Sequence, residues 1–84
     1  MKFKAAVIVS LKPTVLDAQG ETVRAGLHRL GYTGVDAARV GKYIELSLEA
    51  PDQAQAQAQV ERMCADLLAN PIIEDYSVQI SGQP

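Results

Sequence analysis

At 84 residues, with eight Lys/Arg against ten Asp/Glu, the chain holds one domain with a net charge of -2. That balance gives no basic footprint for nucleic acid, and no stretch approaches the roughly 20 apolar residues of a membrane span. The single cysteine, Cys64, excludes an intrachain disulfide and a thiolate metal cluster, and the chain reads as cytoplasmic.

The opening segment KFKAAVIVS places Phe3, Ala5, Val7, Val9 and Leu11 on one face and Lys2, Lys4 and Ser10 on the other. This period of two predicts a half-buried strand, a better account of the short apolar run than a leader peptide. The connection LKPTVLDAQGETV (11–23) leads into a helical stripe of Val23, Gly26, Leu27 and Leu30. Asp17 is the predicted N-cap, Gly31 the left-handed C-cap, and Tyr32 packs back over the last turn.

Two strands are predicted next, VDAARV (35–40) and KYIELSL (42–48), with a tight turn or bulge at Gly41. In the second, Ile44, Leu46 and Leu48 oppose Tyr43, Glu45, Ser47 and Glu49. The alternating QAQAQAQ (53–59) mimics a strand. However, Ala and Gln favour helices, and the stripe Ala56, Val60, Met63, Cys64, Leu67 runs through it, so a helix is expected between Pro51-Asp52 and Asn70-Pro71. A last strand follows, in which Ile72, Tyr76, Val78 and Ile80 alternate with Asp75, Ser77 and Gln79. The order is strand, helix, strand, strand, helix, strand. It predicts an α+β class: a single two-layer βαββαβ domain over residues 1–80, an antiparallel sheet with two helices on one face, related to ferredoxin-like (split βαβ) folds. SGQP (81–84) is expected to be a frayed tail.

The chemical inventory points away from catalysis. His28 has no partner specified for it, Cys64 lies on an apolar helix stripe, and Glu74 and Asp75 point to opposite faces of a strand. No Asp/Glu spacing suits calcium or magnesium, Cys and His are too few for zinc, and Gly20 has no phosphate-loop context. A CxxC after the first strand and an Arg in a Gly-rich first loop are missing, and of the exposed aromatics an RNA platform needs only Tyr43 and Tyr76 could serve, with the charge of the wrong sign. A non-catalytic module that binds another protein or a small regulatory ligand is what remains.

Three stretches, LKPTVLDAQGETVRAGLHRLGY (11–32), ARVGKYIEL (38–46) and MCADLLANPIIEDYSV (63–78), together resemble the PurS family. Members are the small accessory subunit of the multi-subunit phosphoribosylformylglycinamidine synthase of de novo purine synthesis. Two departures are Ala18, where the family usually has proline after the Asp, and the QAQAQAQ helix start.

The resemblance implies an assembled ligase that uses ATP, magnesium and glutamine to convert formylglycinamide ribonucleotide to its amidine. A large synthetase subunit holds the ATP and ribonucleotide chemistry, and a glutaminase subunit makes ammonia. The small subunit binds no cofactor or metal alone, forms a homodimer or a dimer of dimers, bridges the other two and supports ammonia transfer. Carried onto this sequence, it makes docking candidates of Lys12, Pro13, Asp17, Gln19 and Gly20 in the first loop. It does the same for the turn Val40-Gly41-Lys42 and for Asn70, Glu74 and Asp75 at the entry to the last strand. A plain strand-to-helix connection is the other reading of residues 11–23. Self-association also has a physical motive, because the outward sheet face mixes Ala6, Ile8, Tyr43, Ile73 and Ser77 with Glu45, Asp75 and Gln79. The alternative function is a stand-alone dimeric regulatory domain of βαββαβ topology that binds a small metabolite.

Overall fold

The computed structural model describes residues 1–83, and Pro84 lies outside the described residues. Three strands form one antiparallel sheet: β1 (Lys2–Leu11), β2 (Lys42–Glu49) and β3 (Glu74–Gln83), in the order β2-β1-β3. Two helices complete the chain, α1 (Ala18–Arg29) and α2 (Gln53–Met63), the latter prolonged by a π-helical turn over Cys64–Leu68.

β1 is central, its backbone pairing with β2 along one edge and with β3 along the other. Val7 stands opposite Ile44 in β2 and Val78 in β3, and Ala5 opposite Leu46 and Ile80. Phe3, Ala5, Val7 and Val9 are buried on this face, where Ala56, Val60 and Cys64 of the second helical segment cover them. Fully burying a valine side chain contributes about 1.5–3 kcal/mol, so Val7, Val9 and Val60 anchor the core. The α+β class, the antiparallel sheet and the two helices are as expected.

Four details differ from expectation. The segment 35–40 forms no strand. Its interior is Asp, Ala, Ala and Arg, poor strand formers without alternation, and Val40 spends its amide on the Asp17 carboxylate instead of a ladder. Residues 81–83 are not a frayed tail but the end of β3, paired with Lys4, Phe3 and Lys2.

The stripe of α2 shifts by one at the π-turn. There the Ala69 amide reaches back five residues to the Cys64 carbonyl (2.9 Å). Leu68, not Leu67, therefore packs against the core, and Leu67 is 84% exposed.

The last difference is that α1 does not fold back onto the sheet. It makes only marginal contact with the other elements and buries only Gly20. A ten-residue strand is about 33 Å long and a twelve-residue helix about 18 Å, and placed end to end they match the 51 Å long axis. The radius of gyration is 16.5 Å, against about 12 Å for a compact chain of this length. The helix is nonetheless well ended. Tyr32 N–H donates to Leu27 and Gly31 N–H to His28, the Schellman pattern, with Gly31 at φ 100°. The α1 helix and the return segment 31–41 thus form an arm beyond one end of the sheet. No helix among the described residues is long and apolar enough to cross a membrane.

Candidate functional site

The root of that arm is where the predicted docking residues meet. Asp17 is only 6% exposed. Its Oδ1 accepts from the Gly20 amide at 2.8 Å, capping α1, and its Oδ2 accepts from the Val40 amide at 2.8 Å. One carboxylate therefore fastens the start of the arm to its end. The Gly20 and Val40 amides, with help from the Arg39 charge, hold the Asp17 carboxyl below its ordinary value against the opposing effect of burial. Both neighbouring glycines are required by close backbone approach. A Cβ on Gly20 would sit 2.2 Å from the Ala38 carbonyl oxygen, and one on Gly41 would sit 2.6 Å from that of Val9.

Arg39 fixes the first loop. Its guanidinium donates to the Lys12 carbonyl at 2.9 Å, to Val15 at 3.2 Å and to Leu11 at 3.3 Å. Within that loop Val15 N–H donates to the Lys12 carbonyl (2.9 Å), closing a turn with Pro13 at its second position, where its fixed φ is favourable. The sequence quotes Arg39 within a family-like stretch but gives no reason to single it out. Its partners lie 24–28 residues away, so no local signal could reveal it.

Ion pairs rim this end. Lys12 Nζ lies 2.8 Å from Asp75 Oδ1, and Lys42 Nζ lies 3.9 Å from Glu74 Oε2. Glu74 Oε1 also accepts from the Asn70 amide (2.7 Å), and Asn70 Oδ1 from the Ile72 amide (3.1 Å). Lys12 N–H donates to the Ile73 carbonyl (2.8 Å), tying the first loop to the entry of β3. A cavity of about 180 Å³ opens between these groups, lined by Val9, Leu11, Asp17, Gln19, Val40, Gly41, Lys42 and Glu74. All eleven sequence candidates are thus accounted for at one end of the sheet. Six border the cavity. Gly20 stands behind Asp17, Asn70 holds Glu74, Lys12 and Asp75 pair beside it, and Pro13 shapes the adjoining turn.

His28 and Cys64, the two other residues with chemical potential, have structural roles. His28 Nε2 donates to the Val35 carbonyl (2.7 Å), closing the arm on itself. Cys64 is buried and its thiol is pushed up by desolvation, which opposes thiolate formation. Among the described residues no three His, Cys, Asp or Glu side chains gather as a metal site would need.

The arrangement consists of a helix cap, backbone anchors and ion pairs at one end of the sheet. Comparison with known proteins identifies the family. The profile described as PurS: Phosphoribosylformylglycinamidine (FGAM) synthase matches residues 4–82. The PurS subunit of phosphoribosylformylglycinamidine synthase from Synechocystis is 51% identical over 80 residues, covering 95% of this chain and 80% of that one.

Among solved structures, PurS from Bacillus subtilis superposes with a TM-score of 0.87 at 44% identity, covering 95% of this chain and 99% of that one. A chain of the PurLQS structure from Thermotoga maritima gives 0.88 at 34%, with 96% and 99% covered. The chain belongs to the PurS family, the small subunits of phosphoribosylformylglycinamidine synthase. This supports the subunit reading and not the alternative of a stand-alone metabolite-binding domain.

Proposed function

We propose that this chain is the non-catalytic subunit that bridges the synthetase and glutaminase subunits and supports passage of ammonia from glutamine to formylglycinamide ribonucleotide. The end-to-end likeness to a chain of PurLQS carries this reading. The geometry suits it, because a rigid loop–turn–strand entry presents charges without a reacting group. Lys12, Pro13, Gln19, Lys42, Glu74 and Asp75 form the docking rim, and Asp17, Gly20, Val40, Gly41 and Asn70 hold its shape. ATP and magnesium belong to the large subunit of the assembled enzyme, which works in the cytoplasm. The small subunit acts as a homodimer, or a dimer of two such pairs.

Size-exclusion chromatography with light scattering tests assembly directly. The expected result is one complex containing all three subunits only when this chain is present. Co-elution of the other two in its absence, with this chain remaining apart, contradicts the bridge.

A further inference from the structure

α2 packs against β1 and β3 on one side of the sheet. The outward side is open, and two large apolar side chains stand together at its centre. Ile8 of β1 lies directly opposite Tyr43 of β2, and the two are 52% and 62% exposed. On the other edge Ser77 is the partner of Ile8 and Gln79 that of Ala6, so the middle of β1 and β3 carries no charge on this side. The Tyr43 hydroxyl donates to Glu45 Oε1 at 3.2 Å, which engages the charge nearest the centre and holds the ring along β2. Ala6 is short, and a depression of about 450 Å³ opens beside Tyr43 between Lys4, Ala6, Gln79 and Ser81. The remaining charges lie toward the ends, Lys2, Lys4 and Glu49 at one and Asp75 at the other. A tyrosine and an aliphatic side chain in an uncharged middle, ringed by charge, match the anatomy of a protein interface.

A second copy does not suit this face. Three strands about 4.8 Å apart and about 33 Å long give a footprint of about 14 by 33 Å. Two such faces laid together bury about 900 Å² in all, short of the roughly 1,200 Å² of a stable pair. Like charges also meet. Full overlap about a two-fold axis along the strands sets Lys2 and Lys4 against their own counterparts, and about one across them sets Glu45, level with mid-strand Ala6, against its own. The face does continue elsewhere: Asp75, at its end, pairs with Lys12 of the docking rim at 2.8 Å. We propose that the outward face and the rim form one surface that receives a single larger subunit of the assembled enzyme. Tyr43 and Ile8 are its apolar anchors, and the depression beside Tyr43 takes a side chain of that subunit. The inference rests on the bridging reading and goes beyond it by placing the apolar part of the contact on the outward side of the sheet.

The test places a photoreactive label on each part of the surface. Tyr43→Cys and, separately, Lys12→Cys are labelled with a maleimide benzophenone, assembled with the synthetase and glutaminase subunits and illuminated. The wild type, whose Cys64 is buried, gives the background. Adducts from both positions to the same larger subunit are the expected result. An adduct from Tyr43→Cys to a second copy of this chain, to a different subunit from the one Lys12→Cys reaches, or to nothing while Lys12→Cys gives one, overturns the inference and leaves the bridge intact. The unlabelled double variant Ile8→Thr, Tyr43→Thr keeps strand-forming residues at both sites. The concentration of it needed for half-maximal assembly is expected to rise at least tenfold, with its self-association by sedimentation unchanged. Assembly at the wild-type concentration, or loss of self-association instead, contradicts the proposal. A wild-type chain that fails to join the other two subunits overturns the bridging reading itself, and this inference with it.

Discussion

Asp17 Oδ2 accepts the Val40 amide at 2.8 Å while Oδ1 holds the Gly20 amide at 2.8 Å. The residue that caps the first helix is therefore also what closes the arm. Because these amides favour the ionised carboxyl, its folded-state pKa lies below the ordinary 3.8. The stabilisation is then fully present above pH 4 or so and fades as pH falls through the lower folded value. Asp17→Ala is expected to lower the melting temperature at neutral pH by roughly 5–10 °C, with the gap to wild type narrowing in acid. Melting curves from pH 7 to pH 2 check it. A gap constant across that range contradicts the assigned role.

Arg39 reaches three carbonyls of the first loop. Hydrogen bonds to a charged donor are worth about 1.5–3 kcal/mol when buried, and less on an exposed side chain such as this one. Arg39→Ala is expected to speed amide exchange at Val15 and its neighbours by about tenfold while the core amides of β1 stay protected. Lys in its place restores little, since a single ammonium cannot span the same three acceptors in one plane. Exchange followed by NMR decides between these outcomes.

Gly41 and Gly20 respond to bulk, not to flexibility, because each lies against a backbone carbonyl. Gly41→Ala and Gly20→Ala are each expected to cost about 1–3 kcal/mol as the backbone shifts to relieve overlap. Urea midpoints measure this. Gly34, which has open space around its Cβ position, is the control, and Gly34→Ala is expected to be close to neutral.

The rim pairs are expected to matter for assembly and little for folding. Lys12–Asp75 is largely solvent-facing, and Lys42–Glu74 stands at 3.9 Å with Lys42 exposed. Surface pairs of this kind contribute about 0–1 kcal/mol. Lys12→Ala and Lys42→Ala should therefore leave the melting temperature within a few degrees of wild type. The same changes are expected to weaken binding to the partner subunits about tenfold or more, as read by titration calorimetry.

Features carried by local chemistry were legible in the sequence. The alternation Phe3-Ala5-Val7-Val9 gives the central strand, Asp17 and Gly31 give the ends of α1, and helix preference in QAQAQAQ overrides its apparent period of two. What escaped depends on distant partners. The 35–40 segment is ordered by the Asp17 carboxylate 23 residues earlier, not by a ladder. Residues 81–83 become strand because β1 begins at Lys2 and offers them a partner. Leu67 and Leu68 exchange roles through a π-turn that no composition announces. The apolar stripe of α1 is visible in the sequence, but an amphipathic pattern does not say what it packs against. The residues proposed for docking were legible as motifs, and their convergence on one end of the sheet required the fold.

The most direct test of the central claim is reconstitution of the three subunits with ATP, magnesium and formylglycinamide ribonucleotide, following amidine formation with glutamine and separately with ammonia. The account predicts that omitting this chain abolishes the glutamine-dependent reaction and largely spares the ammonia-dependent one. Equal rates with and without the chain, from either nitrogen source, would contradict it.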